Sequence, residues 1–551
     1  MTPNDHRASR RRRNTVTITS VATIAAVTVG VFGISEYSSG PIVASAATTP
    51  TSDSEVDGLV SDALPDTNPT IDQVTSPAFR NVVMILADDL DWKLFDQIPR
   101  LQALKERGMT FTNHTVVDSL CCPSRVTIMR GQYIHNHGVV SNIEATGGGW
   151  PTFQRLDADE DCLPVWLNDA GVTTALYGKY LNEYPTRPDG IRYVPPGWDE
   201  WAVPISRGDS YSGYSYTLND NGELVRYGTK PADFLGDVLN DKARNFIGST
   251  PEPFFLYLST YTPHKPFATA PRHLSAHAGT VAPRTPAYNS FGENEPAWLQ
   301  QFPQLSDWKL SELDKLWRKR ARSAETVADS VDAVLAELKA TGRDKDTLVI
   351  VTSDNGYHVG EYRVPKGKRT PYAADTVVPM IAIGPGVPAG VEVSAMTSTI
   401  DLAPTFTEVL SGTSPDWVDG LSLVPFLTDG QTPQGWRTAT LSESIGETNA
   451  SDPDYLPYIP PPFSALRSER WLYVEYDDGS TALYDRRTDP YELRNIVDAV
   501  DPAFTAALRA QLSQLDACSG SSCREADALA VTDPLPQEAG RRFSEVPCRG
   551  R

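Results

Sequence analysis

Basic residues are scarce in this 551-residue chain. Lys and Arg number 49 against 70 Asp and Glu, a formal net charge of −21. That balance argues against nucleic acid as a partner, whose affinity comes mainly from basic groups neutralising phosphates. An anionic ligand can still be held, but only where the cations are concentrated locally. Internal repeats are lacking, so no solenoid or array is expected. Cysteine is rare, with six residues at positions 121, 122, 162, 518, 523 and 548. Apolar content is not lacking: 40% of residues are hydrophobic, so the bulk of the chain is globular rather than disordered.

The one long apolar run singled out lies at the N-terminus. Arg7 and Arg10 to Arg13 form a basic start, Thr15 to Ile34 is uncharged and mostly apolar, and Ala44-Ser45-Ala46 matches a small-residue cleavage site. Residues 1–46 are read as a secretory signal peptide, with a mature start near Ala47 and a secreted or cell-envelope location. An uncleaved membrane anchor is the alternative, because the run is nearly long enough to span a bilayer. A membrane is expected as a partner only in that case. Residues 47–78, rich in Thr, Ser, Asp and Pro, are read as a flexible lead-in. Export permits disulfides. Cys518 and Cys523 flank Ser-Gly-Ser-Ser, a turn able to bring them together, and are the first candidate pair; Cys122 with Cys162 is the second.

The chain is organised around Cys121-Cys122-Pro123-Ser124-Arg125, followed by Arg130-Gly131. Proline is at home in the first turn of a helix, where its missing N–H would be unpaired anyway. A helix is therefore predicted from about Ser124, with Cys121 and Cys122 at its mouth. Free N–H groups and the positive end of the helix dipole favour an anion there. Arg125 adds a planar fork suited to a sulfate or phosphate group.

Asn81 to Ala87 is a continuous apolar run rich in β-branched residues, as a strand buried on both faces requires, and it ends in Asp88-Asp89. Thr347 to Thr352 repeats the design and ends in Ser353-Asp354-Asn355. Ligands gather at the carboxyl ends of strands in open α/β sheets. Two buried strands ending in oxygen-rich pairs suit a hard cation, calcium or magnesium rather than zinc. Calcium, which tolerates looser geometry, is preferred. Two more strands lead to chemistry: Thr173 to Tyr177 to Gly178-Lys179, and Pro253 to Ser259 to Pro263-His264. Histidine, with an ordinary pKa near 6.5, is the side chain best placed to give a proton near neutrality. Leu310 to Leu338 has helical spacing and stops at Gly342; packing on the sheet accounts for it. Near Thr428 to Gly435 the chain turns into a Pro/Gly-containing link. Short strands at Ser464 to Arg467, Trp471 to Tyr476 and Ala482 to Tyr484 come next, then a helix at Pro502 to Leu515.

Together these stretches resemble the type I sulfatases, whose C-x-P-S-R signature with a later Gly is matched by Cys121 to Arg125 and Gly131. The resemblance covers about Arg80 to Val497. It implies an alkaline-phosphatase-like α/β sandwich with a large mixed central sheet in residues 79–430, and a smaller C-terminal antiparallel-sheet subdomain in residues 431–551. It implies that a formylglycine-generating enzyme oxidises Cys121 to formylglycine. Asp88, Asp89, Asp354 and Asn355 are then expected to hold one calcium ion, with residue 121 completing the shell. The implied reaction is sulfate release from a small sulfated sugar or aryl sulfate. Hydrated formylglycine attacks sulfur beside calcium, His264 gives the leaving alcohol its proton, and Arg125, Lys179 and Lys368 offset charge on the sulfuryl oxygens.

Lys368 is selected by the family's spacing of four residues before a tyrosine, here Tyr372; the usual acid after that tyrosine is Ala373. Many sulfatases carry a histidine two residues after the Lys179 position, where Leu181 stands here. Gly178-Lys179-Tyr180-Leu181-Asn182, His135-Asn136-His137 and Pro195-Pro196-Gly197-Trp198 are similar instead to the N-acetylglucosamine-6-sulfatase branch. With Cys121 consumed, five cysteines remain, so at least one is free or pairs outside the chain. Two other readings stay open. One is a phosphoesterase or phosphonate hydrolase of the same superfamily. The other is a non-catalytic, calcium-dependent binder of sulfated glycans.

Overall fold

The computed structural model describes residues 79–531 apart from 186–189, 206–208, 411–413, 448, 453 and 458. The signal peptide and lead-in read at residues 1–78 lie outside the described residues, as does Cys548. The strands are β1 (Asn81–Ala87), β2 (Met109–Phe111), β3 (His114–Thr115), β4 (Thr173–Gly178), β5 (Glu200–Pro204), β6 (Thr217–Asp220), β7 (Glu223–Arg226), β8 (Phe254–Ser259), β9 (Thr347–Ser353), β10 (Ile381–Ile383), β11 (Glu392–Val393), β12 (Thr397–Ser398), β13 (Ala439–Ser444), β14 (Phe463–Ser468), β15 (Trp471–Tyr476) and β16 (Thr481–Asp485). The helices that matter most here are α1 (Cys121–Arg130), α2 (Leu235–Ser249), α3 (Asp307–Thr341), α4 (Leu402–Leu410) and α5 (Pro502–Asp516).

Ten strands form one mixed sheet in the order β11-β2-β10-β9-β1-β8-β4-β5-β6-β7. β1 needs apolar residues from Val82 to Ala87 because its alternate side chains enter two cores. Val82, Met84 and Leu86 pack with Leu402 and Phe406 of α4. Val83, Ile85 and Ala87 pack with Leu239 and Phe246 of α2 and with Trp317, Val327 and Val331 of α3. Helices thus cover both faces of the sheet, the layered α/β arrangement expected.

β9, β1, β8 and β4 are parallel neighbours. Ala87 lies opposite Ser353, and Leu86 and Gly178 both lie opposite Ser259. The four carboxyl ends are therefore level, and Asp354, Asp88 and Lys179 emerge together. Gly178 permits this. Its φ is +113°, and a Cβ there would stand 1.8 Å from the Ser259 carbonyl oxygen. Only glycine lets the two backbones approach so closely.

Two expectations are revised in detail. α1 begins at Cys121, capped by extended Leu120, rather than at Ser124. Pro123 is its third residue, which is tolerated because the first four N–H groups of a helix lack helical acceptors. Cys121 and Cys122 are thus residues of the first turn. Cys122 and Cys162 are both free and buried, so that pairing is not formed; the Cys162 thiol turns to the Asp159 carbonyl at 3.5 Å instead. Cys518 and Cys523 are bonded, as expected.

β13 to β16 make a separate antiparallel meander. One face packs Leu466, Tyr473 and Leu483 against Phe504, Leu508 and Leu512 of α5, and against Val117 and Tyr133 on either side of the signature. The other face packs Leu472 and Val474 against Tyr372, in the segment that carries Lys368. The small sheet thereby buttresses two stretches that build the site. Among the described residues no helix is long and apolar enough to cross a membrane.

Candidate active site

The site forms where the level strand ends lock into one another. Asp89 adopts a left-handed φ of 70°, a conformation that costs a non-glycine residue energy unless its surroundings hold it. Here they do. Asp354 Oδ1 accepts the Asp89 N–H at 3.1 Å, and Ser353 Oγ accepts the Leu90 N–H at 2.8 Å. Asp88, Asp89, Asp354 and Asn355 are all buried and come together at this edge. Asn355 Nδ2 donates to Asp89 Oδ1 at 2.6 Å. Its Oδ1 is a buried acceptor with no hydrogen-bond partner among the described residues. Ligand atoms of Asp88, Asp89, Cys121 and His264 lie within 4.8 Å of one another. Clustered carboxylates beside an orphaned amide oxygen fit a hard cation such as calcium.

α1 delivers Cys121 to this cluster. Its Sγ is 3.5 Å from Asp88 Oδ1 and 2.8 Å from Lys368 Nζ. Burial pushes the thiol well above its ordinary range, against the pull of Lys179 and Lys368. A thiol kept protonated is a poor nucleophile, and sulfur is a soft ligand among hard oxygens. An oxygen-bearing group at position 121 would suit the surroundings better than the cysteine does.

Two lysines frame that position. Lys179 Nζ lies 2.7 Å from Asp88 Oδ2, and Lys368 Nζ lies 2.7 Å from Asp89 Oδ1. Burial works against both ammonium groups. Asp88 outweighs it at Lys179, and Asp454 with Asp89 outweighs it at Lys368, so both pKa values stand well above the usual lysine range. Burial likewise opposes the Asp88 carboxylate, but Lys179 and His264 prevail and hold it below its ordinary value.

Arg125 lies buried among the strand ends, beside Asp354. Only 1% exposed, it sets Nε and Nη2 each 2.9 Å from Asp354 Oδ2, and Nη1 2.9 Å from the Lys179 carbonyl and 2.7 Å from Ser259 Oγ. Nε and Nη1 brace the ends of β9, β4 and β8, while Nη2, at ion-pair distance from Asp354, has no hydrogen-bond partner among the described residues. Burial pushes the Asp354 carboxyl up to about 6, with Arg125 pulling the other way.

His264 presents Nδ1 to the Lys265 carbonyl at 2.7 Å and Nε2 to Asp454 Oδ1 at 2.9 Å. Acceptors at both nitrogens suit the doubly protonated ring. Burial disfavours that charge, but Asp454, Asp88 and Asp89 outweigh it and raise the pKa above the ordinary histidine value.

Asp454 itself escaped the sequence reading. Its Oδ2 lies 3.7 Å from Cys121 Sγ and 3.4 Å from Lys368 Nζ. Asn142, equally unforeseen, donates from Nδ2 to Asp454 Oδ2 at 3.3 Å and accepts the Cys122 N–H at 3.0 Å. A cavity of about 460 Å³ opens on this group, lined by Asn142, Lys179, Asn182, Tyr211, His264 and Asp454. Leu181 also lines it, an apolar wall where many sulfatases place a histidine. His137, by contrast, is structural: its Nε2 lies 3.1 Å from Thr127 Oγ1 within the fold.

Comparison with known proteins points the same way. The sulfatase family pattern matches residues 80–413, and that of the N-sulphoglucosamine sulphohydrolase C-terminal region matches residues 360–517. N-acetylglucosamine-6-sulfatase of Capra hircus is 34% identical over 479 residues, covering 81% of this chain and 84% of the relative. The Homo sapiens protein of that name is 33% identical, covering 81% and 86%. A solved structure in complex with its substrate D-glucosamine-2-N,6-O-disulfate superposes with a TM-score of 0.67 at 20% identity, over 82% of this chain and 99% of the other. The phosphonate monoester hydrolase of Agrobacterium radiobacter superposes with a TM-score of 0.61 at 23% identity, over 80% and 95%. These two likenesses show a shared fold and leave the ester undecided. The sequence match is more specific, for it runs from β1 past α4 and takes in both strand-end pairs, Cys121, Lys179, His264 and Lys368: the chain belongs to the sulfatase family.

Proposed function

We propose that the chain is an exported, formylglycine- and calcium-dependent sulfatase that removes the 6-O-sulfate of a glucosamine unit. The observation that carries the reading is the setting of residue 121. It sits between buried Lys368 and Asp88, at an oxygen-rich cluster, beneath a cavity of about 460 Å³. That volume is in the range of small-ligand pockets. The names of the 34% and 33% identical relatives supply the sugar.

Asp88, Asp89, Asp354 and Asn355 would hold the cation. Once bound, calcium supplies Lewis-acid polarisation, and residue 121, once oxidised and hydrated, supplies the nucleophilic oxygen. Lys179 and Lys368 offset the negative charge that grows on the sulfate oxygens. Arg125 acts indirectly by fixing Asp354 and the strand ends. His264 carries a proton on Nε2 toward the cavity and gives it to the departing sugar oxygen; Asp454 keeps that proton in place. Tyr211 walls the cavity, with Lys179 5.5 Å from its ring centre.

The test pairs a mass with a rate. Protein made alongside a formylglycine-generating enzyme is digested, and the peptide holding residue 121 is weighed. Release of sulfate and of phosphate from matched 6-O-esters of N-acetylglucosamine is then compared. The expected result is a mass matching CHO in place of CH₂SH, with sulfate released faster. An unmodified thiol without turnover overturns the reading, and faster phosphate release makes the protein a phosphoesterase.

A further inference from the structure

The acidic excess of the chain is unevenly spread. On the N-terminal half of α3, Lys309, Lys315, Arg318, Lys319 and Arg322 join Lys366 around one groove of about 510 Å³. A single carboxylate, Glu312, shares it and is paired with Lys315 at 2.7 Å. Arg318 and Arg322 donate to the backbone carbonyls of Thr280 and Ala276 and form no ion pair among the described residues. Lys309, Lys319 and Lys366 form no ion pair among the described residues.

Such crowding has a cost. Lys315 with Lys319 and Arg318 with Arg322 are like charges four residues apart, an arrangement that destabilises a helix. Lys366 registers the crowding directly: burial first, then Lys265, Lys309 and Lys319, depress its pKa. Packing on the sheet explains the apolar face of α3 and leaves this basic face unexplained.

The groove is continuous with the catalytic loops. Phe267, on its wall, donates its N–H to the His264 carbonyl at 2.9 Å. Lys366 lies two residues before Lys368. Trp308, also on the wall, is 71% exposed and offers an aromatic face to a ring.

We propose that this groove is a second binding site, one that holds the anionic chain of a polysulfated oligosaccharide beyond the sugar unit whose ester is cut. Spaced sulfates and carboxylates meet Lys309, Lys319 and Lys366, and a pyranose ring lies on Trp308. The proposal rests on the sulfated-sugar reading of the catalytic site. Other polyanions share the charge but have no reason to lie beside loops that carry His264 and Lys368.

The test separates binding from turnover. Full-length protein carrying Cys121→Ala is titrated calorimetrically with a size-fractionated heparin octasaccharide at two salt concentrations. Adding Lys309→Ala, Lys319→Ala and Lys366→Ala together is expected to weaken binding roughly tenfold, since three charge contacts at the surface or half-buried are each modest. The salt dependence should also flatten. Arginine at the same three positions should keep the affinity, which separates lost charge from lost folding. In the protein with Cys121 intact, the triple alanine change should leave kcat/KM for the monosaccharide ester unchanged. Octasaccharide affinity insensitive to the triple change overturns the proposal, as does equally tight binding of a single-stranded DNA of matched charge. Failure of the intact protein to release sulfate from glucosamine would overturn the proposed function instead, leaving the binding result standing.

Discussion

Asp454 Oδ1 lies 2.9 Å from His264 Nε2, although 190 residues separate the two in the chain. Burial opposes the Asp454 charge, yet Lys368 and His264 hold its pKa well below the ordinary range, so it remains a carboxylate facing the ring. If His264 protonates the departing oxygen, Asp454 matters in proportion to how much that oxygen needs a proton. Asp454→Asn should therefore lower kcat on a sugar 6-sulfate by roughly a hundredfold, the low end of the range for general acid catalysis. An aryl sulfate, whose phenolate leaves readily, should lose far less. Equal losses on the two substrates would remove Asp454 from the proton path and leave it a packing residue.

Calcium binding can be read without turnover. A ligand that binds only the folded state adds about 2.7 kcal/mol at a hundred times its Kd. Adding calcium to metal-free protein should raise Tm accordingly. Asn355→Ala removes the orphaned Oδ1 acceptor, and with it a ligand, so the calcium-induced rise should shrink; Tm without metal should fall as well, because the same change deletes the Nδ2 hydrogen bond to Asp89. No rise in wild-type Tm with calcium would sink the cation assignment of this cluster.

Both legible and illegible parts of the site have physical reasons. Asp88, Asp89, Asp354 and Asn355 could be read because continuous apolar runs identify strands buried on both faces, and the residues just past the carboxyl end of such a strand emerge at the sheet's ligand-binding edge. Lys179 and His264 were readable by the same rule. Lys368 lies on no such strand end and needed the family spacing to find it. Asp454 had no local signal at all: it lies in a loop between β13 and β14, and its approach to Cys121 spans 333 residues. β13 was missed because Ala-Thr-Leu-Ser-Glu-Ser has little apolar content, its partner β14 supplying the register. The helix start was misplaced by three residues because proline is tolerated anywhere in the first turn, so it marks that turn without fixing its first residue.

A pH test addresses how the small sheet grips the signature region. His135 Nδ1 lies 2.9 Å from Glu443 Oε1 on β13, and Nε2 lies 3.2 Å from the carbonyl of disulfide-bonded Cys518. Burial lowers the His135 pKa, but Glu443 more than compensates and the net shift is upward. A raised histidine contributes stability that is fully present below the unfolded value near 6.5 and is lost as pH rises through the folded value. His135→Gln should therefore lower Tm most near pH 5.5, with the gap to wild type closing at higher pH. A gap that is constant across that range would mean the ring acts only by shape.

Arg437 anchors the helix Ser521–Asp527, the last among the described residues. Its two terminal nitrogens bind Asp401 at 2.9 and 2.7 Å, and its Nε stands 3.1 Å from Asp527, whose other oxygen accepts from Tyr133 Oη at 3.0 Å. All three charged groups are buried. Burial already pushes the Asp527 carboxyl up to about 7, against the pull of Arg437. Arg437→Met fills similar space but strands two carboxylates, a change expected to cost about 3–5 kcal/mol. Those carboxyls would then hold protons in the folded state that the unfolded chain gives up, so the variant should lose stability steadily as pH rises. Urea midpoints at pH 5 and pH 8 measure this, and the deficit against wild type should be larger at pH 8. An equal deficit at both values would show that the guanidinium contributes packing alone, and that the two acids are neutral whether or not it is present.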